Sequence, residues 1–220
     1  MKLLSALMAL CLAVPALAAP PKTDEEKTLY ALGQAVAGQI KIFALSEAEL
    51  AHVMAGLKDG VTGAKSEVDM AEWQPKIGDF AKGRMAKAAE LEKVAGKAFL
   101  DKAAAMAGAK RTASGLVYVE KKAGTGVQPT TADQVKVHYH GTLTNGEVFD
   151  SSVERGEPAE FPLGGVIKCW QEGVAMMKAG GKATLYCPPD IAYGDRGAPP
   201  KIGPGATLVF DVELLEVKGK

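Results

Sequence analysis

This sequence has no excess of charge of either sign. Lysine plus arginine and aspartate plus glutamate both total 26 in 220 residues. The basic surplus that draws in nucleic acid is missing, and so is the acidic surplus of a solvating tail. Cysteine is scarce: Cys11, Cys169 and Cys187 are the three, and none is spaced C-x-x-C, which sets aside a thioredoxin-like site. Two cysteines with scattered histidines make a poor zinc set, so no metal is expected. No nucleophile–base constellation stands out either, which leaves hydrolase and metalloenzyme chemistry without support and calls for no cofactor. The apolar run at residues 3–14 is too short to span a bilayer.

That run reads instead as the core of an export signal. Lys2 supplies the positive charge and Ala16-Leu17-Ala18 the small-x-small cleavage pattern, giving a signal peptide over residues 1–18. Cleavage falls after Ala18 or after Ala19. Bulky Leu10 precedes Cys11 where a lipoprotein signal carries a small residue, which argues against lipidation. Export places Cys169 and Cys187 in an oxidising compartment. There they form a disulfide or remain two separate buried thiols.

Residues 19–68 read as helical. Leu29, Leu32, Val36, Ile40 and Phe43 recur at three and four residues across 23–43, one face of an amphipathic helix. Ser46 with Glu49 makes a capping box, followed at helical spacing by Leu50, Val53, Met54 and Leu57, and Gly60 is placed to end that helix. Two short helices with one stripe each cannot build a large core alone. A third helix is predicted from about 69 to 109, within a connecting segment 69–111. Trp73, Ile77 and Phe80 mark its early face, and Leu91, Val94, Ala98 and Phe99 continue it less cleanly. Roughly 35 helical residues extend over ~50 Å. The helix is either a spacer arm or folded back onto the domain that follows.

Near Arg111 the pattern changes to alternation punctuated by glycine and proline. Strands are predicted at about 116–121, 134–144, 147–150, 159–162, 181–187 and 206–217, with one short helix between Cys169 and Met177. This makes 112–220 an antiparallel α+β domain. Its most informative stretch is VKVHYHGTLTNGEVFDSS (135–152). Val135, Val137 and Tyr139 alternate with Lys136, His138 and His140, and Asn145-Gly146 supplies a hairpin turn. The returning strand delivers Phe149 and Asp150, so a phenol, a phenyl ring and a carboxylate come together. His138 and His140 lie on the face opposite Tyr139 and read as exposed.

Residues 112–220 resemble the FK506-binding-protein family of peptidyl-prolyl isomerases. The resemblance is carried by VHYHGTL (137–143), FDSS (149–152), FPLGGVIKCWQEGV (161–174), IAYGDRG (191–197) and ATLVFDVELLEV (206–217), in the family's order and spacing. The signal peptide and helical N-terminal half make the whole chain similar to the periplasmic, macrophage-infectivity-potentiator-like branch. That resemblance implies an antiparallel half-barrel wrapped on a short helix, preceded by an all-α dimerisation domain and a long connecting helix. It also implies a homodimer through residues 23–57 in the periplasm, with outer-membrane association or secretion as variants. The substrates it implies are proline-containing unfolded or partly folded proteins, and the ligands it implies are FK506- or rapamycin-like macrolides.

By motif, the resemblance assigns Asp150, Tyr193 and Phe149 to catalysis and Tyr139, Val166, Ile167, Trp170 and Phe210 to substrate binding. Trp170 would form the floor, the Ile167 N–H would hold a carbonyl, and Arg155 lies where it can pair with Asp150. Cys169 stands in place of the usual glycine before the tryptophan. Ala198 stands where many members carry histidine, and Lys201 where many carry an apolar residue. Taken singly these residues have plainer readings: Phe161 and Phe210 as core, Tyr139 and Tyr193 as half-buried tyrosines, Asp150 as a turn cap. Together they describe an apolar pocket that favours the twisted X–Pro amide without covalent chemistry. The alternative is a client-binding chaperone module with little isomerase activity.

Overall fold

The computed structural model describes residues 19–219, so the expected signal peptide at 1–18 lies outside the described residues. The described chain divides into two units at Gly38–Gln39. Helix α1 (Asp24–Ile40) begins at a reciprocal cap: Glu26 N donates to Thr23 Oγ1 (3.1 Å) and Thr23 N to Glu26 Oε2 (2.9 Å). Helix α2 (Glu47–Thr62) starts at the predicted capping box, with Ser46 N donating to Glu49 Oε2 at 2.8 Å. It ends at Gly63, whose φ of 70° supplies the left-handed cap, and not at Gly60, which stays helical. Neither helix buries a residue, and Leu29, Leu32, Leu50, Met54 and Leu57 are all exposed.

Helix α3 (Met70–Ala104) is the predicted long helix, 35 residues capped by Asp69, which accepts from Ala71 N at 2.9 Å. Phe80, in its first half, stacks on Phe43 with ring centres 5.9 Å apart, and Arg84 pairs with Glu49. From Ala89 onward it lies against the strand domain. Ala89, Gly96, Leu100 and Ala103 are buried, the last two among Val117, Val119 and Tyr186. Lys93 pairs with Asp195 at 2.6 Å, and Asp101 with Arg111 at 2.6 Å. The arm is therefore folded back over its second half. Leu91 and Val94, expected to continue the apolar face, are 65% and 72% exposed. Small residues let the helix approach closely, and small residues barely register in a hydrophobic stripe.

Seven antiparallel strands follow: β1 (Ala109–Arg111), β2 (Val117–Lys122), β3 (Gln134–Leu143), β4 (Val148–Ser151), β5 (Ala159–Pro162), β6 (Lys182–Cys187) and β7 (Leu208–Val217). The order is β1-β2-β6-β7-β3-β4, with β5 also pairing with β3. Strand β1 occupies residues read from sequence as the end of the helix; three residues are too few for alternation to show. The main core lies between the sheet and helix α5 (Lys168–Ala175), with Val135, Val137, Leu185, Leu208 and Leu214 meeting Trp170 and Val174. Gly173 makes that approach possible, since a Cβ there would sit 2.7 Å from the Leu185 side chain. Cys169 and Cys187 are joined in a disulfide, fully buried, with Cα atoms 5.7 Å apart; it ties the start of α5 to the end of β6.

The hairpin between β3 and β4 differs in detail from the two-residue turn expected. Leu143 N donates to Glu147 O at 2.9 Å and Gly146 N to Leu143 O at 3.0 Å, leaving a three-residue loop. Only Gly146 takes positive φ (86°), the pattern of an ordinary turn closed by a left-handed glycine.

Candidate functional site

The pocket grows out of this hairpin. Alternation along β3 turns Tyr139 inward, the tight loop reverses the chain, and β4 sets Phe149 and Asp150 beside it. Across from them, the 3-10 turn at Leu163–Gly165 leads through Val166 and Ile167 into α5, whose first turn carries Trp170. Ile167 O accepts from Trp170 N (2.9 Å) and Gln171 N (3.1 Å), while Gln171 Nε2 holds Val166 O at 2.8 Å. The segment is pinned from both sides. Strand β7 adds Phe210, and the loop after β6 adds Tyr193. All eight residues singled out in the sequence line one cleft of about 700 Å³, a volume usual for ligand sites.

Edge-to-face aromatic contacts give the cleft its shape. Trp170 meets Tyr139, Phe210 and Phe161 with ring centres at 5.2, 5.4 and 5.9 Å and interplanar angles of 83–88°. Phe149 meets Phe210 at 5.3 Å and 84°. Such pairs contribute about 0.5–1.5 kcal/mol each beyond burial. Gly141 keeps β3 bare beneath them: a Cβ there would come within 2.7 Å of the Phe149 ring and 3.1 Å of Phe210. Trp170 Nε1 is buried without a hydrogen-bond partner among the described residues, a free donor at the floor.

The polar side of the cleft is closed on itself. The Tyr139 hydroxyl donates to Asp150 Oδ2, Arg155 donates to Asp150 Oδ1, and a second Arg155 N–H reaches the Tyr139 oxygen at 3.0 Å. Helix α4 (Ser152–Arg155), absent from the sequence reading, is what brings Arg155 round. Burial alone would raise the Asp150 carboxyl, but the hydrogen bonds from Tyr139 and Arg155 outweigh it and hold the group below its ordinary value. Burial, reinforced by Asp150, pushes the Tyr139 phenol up. At neutral pH the site therefore holds a neutral phenol, a carboxylate and a guanidinium.

Tyr193 is 40% exposed and opens the 3-10 turn Gly194–Arg196, which Gly205 N (donating to Gly194 O, 3.0 Å) and the Lys93–Asp195 pair hold in place. The sequence reading did not place Phe161, Pro199, Pro200 or Ile202 in the site, yet they line the cleft beside Ala198 and Lys201. Phe161 looked like core because single strand aromatics usually are. The loop residues carry no periodic signal at all. His138 and His140 are outside the cleft, as expected, but half-buried and not exposed. Ser152 and Ser151 hydrogen-bond their Nδ1 atoms at 3.1 and 3.0 Å, because α4 folds over that face of β3. Among the described residues no cluster of histidine, cysteine or carboxylate side chains could hold a metal ion.

Two family models match the chain. Residues 126–215 match "FKBP-type peptidyl-prolyl cis-trans isomerase", and residues 25–119 match "Domain amino terminal to FKBP-type peptidyl-prolyl isomerase". A probable FKBP-type peptidyl-prolyl cis-trans isomerase of Haemophilus influenzae is 39% identical over 90% of this chain and 87% of its own length. The peptidyl-prolyl cis-trans isomerase Mip of Coxiella burnetii is 38% identical over 92% and 91%. The crystal structure of FkpA from Escherichia coli superposes with a TM-score of 0.70 at 37% identity, covering 90% of this chain and 98% of that one.

Proposed function

The chain belongs to the FKBP-type peptidyl-prolyl cis-trans isomerase family, and we propose that the cleft floored by Trp170 is where it binds and twists the amide preceding proline. Its activity is peptidyl-prolyl cis-trans isomerisation. Rotation about that bond meets a barrier of ~18–20 kcal/mol because the twisted amide loses resonance. The twisted form has less charge separation than the planar one, so an apolar, water-poor box binds it preferentially. Trp170, Phe149, Phe210 and Ile167 supply the box for the pyrrolidine ring, with Val166 and Tyr139 at its sides. The Tyr193 hydroxyl and the Ile167 N–H fix neighbouring carbonyls. Asp150, its charge balanced by Arg155, faces the rotating carbonyl and holds the Tyr139 ring in place. The observation that carries this reading is the convergence of these eight side chains on one aromatic cleft. The same box is the place for a macrolide.

The test is isomerisation of a proline peptide. Wild type should accelerate it, and Tyr193→Phe and Asp150→Ala should each lower kcat/KM about tenfold, the effect of ~1.4 kcal/mol in the transition state. Wild-type rates equal to buffer would overturn the catalytic reading and leave a client-binding chaperone module.

The wider setting belongs to the same proposal. The protein works on unfolded or partly folded exported proteins in the periplasm, with chaperone capacity, as a homodimer joined through residues 23–57. The buried disulfide suits an oxidising compartment. No helix among the described residues is long and apolar enough to cross a membrane. The exposed apolar stripes of α1 and α2, helices with no buried residue among those described, support a second copy as their cover. Mass determination of residues 112–220 should give a monomer where the full chain gives a dimer; a dimer in both would refute the assignment.

A further inference from the structure

The cleft carries two charged side chains, and only one of them is matched. Asp150 is engaged by Tyr139 and Arg155. Lys201, on the far loop, lines the same cleft and reaches back to β4, where its Nζ donates to Phe149 O at 2.8 Å. That contact uses one of three ammonium protons. Lys201 forms no ion pair among the described residues, and Arg155 already neutralises Asp150. The wall of an otherwise apolar cleft is thus left with one uncompensated positive charge, anchored beside the Phe149–Asp150 backbone.

We infer that Lys201 is a specificity-determining residue that selects prolines flanked by an acidic side chain. The inference rests on the reading of the cleft as the proline site. Consecutive Cα atoms are ~3.8 Å apart. A residue next to a proline seated over Trp170 therefore has its side chain at the cleft wall, where a glutamate or aspartate can meet the two remaining ammonium hydrogens. A lysine or arginine in that place meets a like charge and is disfavoured. Arg155 supplies little of this attraction, because its charge is already balanced by the Asp150 carboxylate beside it.

A plainer role for Lys201 is to strap the far loop to β4 through the Phe149 carbonyl. The two roles separate experimentally. Lys201→Gln keeps a donor for that carbonyl and loses the charge, Lys201→Met loses both, and Lys201→Arg keeps both. The substrates are end-blocked tetrapeptides Ala-Xaa-Pro-Phe and Ala-Leu-Pro-Xaa with Xaa Glu, Gln or Lys, assayed with the full-length protein. Wild type and Lys201→Arg should favour Glu over Lys about three- to fivefold in kcat/KM in at least one series at low salt, as for an exposed ion pair. The ratio should shrink as salt is raised and fall to about one in Lys201→Gln and Lys201→Met. A Glu:Lys ratio that is the same in wild type and Lys201→Gln overturns the inference. If wild type fails to isomerise even Ala-Leu-Pro-Phe, the catalytic reading falls by itself. Calorimetric binding of the same peptides then decides on Lys201 by the same ratio.

Discussion

Reducing the Cys169–Cys187 disulfide should cost the isomerase domain about 3 kcal/mol while leaving catalysis at 25 °C largely intact. The bond closes a loop of 18 residues in sequence, and closing such a loop in the unfolded chain removes entropy worth about 3 kcal/mol. Both cysteines are fully buried and flanked by core, and reduction removes no atoms, so it opens no cavity there. For the roughly 110 residues of the strand domain, 1 kcal/mol corresponds to about 4 °C, which places the expected fall in Tm near 12 °C. The assay is thermal unfolding followed by far-ultraviolet circular dichroism, with and without reductant, alongside isomerase activity well below the transition. Cys169→Ala/Cys187→Ala should melt somewhat lower still, having lost two packed sulfurs. A difference between oxidised and reduced protein below about 3 °C would refute the entropic argument. An equally stable protein whose kcat/KM collapsed on reduction would place the effect of the bond in the folded pocket instead.

Asp150 predicts an acid limit. Its carboxyl lies below the ordinary value in the folded protein, so its contribution is complete above the unfolded-state value near 4 and is lost as pH falls through the lower folded value. Urea unfolding between pH 6 and 2 should show this loss, and Asp150→Asn should flatten that part of the profile; an unchanged profile would contradict it. The packing of α3 predicts opposite signs for two glycines on one helix. Gly83→Ala has open space around it and should stabilise by about 1 kcal/mol through helix propensity. Gly96→Ala drives a methyl into Thr207 and should destabilise, the ~1–3 kcal/mol of overpacking outweighing the same propensity gain. Urea titration of both variants reads this directly, and equal signs would mean that α3 does not lie where the structure has it.

Much of the sheet and the site could be read from residues because period and turn chemistry are local. Val135, Val137 and Tyr139 announce a one-sided strand whose hairpin partner brings Phe149 and Asp150, whereas Val166, Ile167, Trp170, Tyr193 and Phe210 are legible only through the family resemblance of their motifs. Three features were not legible, each for a physical reason. The helix end moved from Gly60 to Gly63 because a glycine is tolerated in mid-helix at a cost of only about 1 kcal/mol, and Gly63 takes the left-handed φ of 70° that closes α2. The docking of α3 was hidden because Ala89, Gly96 and Ala103 make close approach, while the conspicuous Leu91 and Val94 face away. The half-burial of His138 and His140 depends on α4, four residues long, too short to leave a pattern.

The seam between α3 and the sheet makes the helix a phase-keeping element. Each residue added to an α-helix advances it 1.5 Å and turns it 100°. One residue inserted between Phe80 and Ala89 would therefore swing the cleft a little over a quarter turn about the helix axis, relative to the Phe43–Phe80 stack. Seven inserted residues would return it to within about 20° of its bearing, ~10 Å farther along. The bearing of the pocket is thus written in the residue count between two contacts, and deletions in that interval should be tolerated in steps of seven far better than in steps of one.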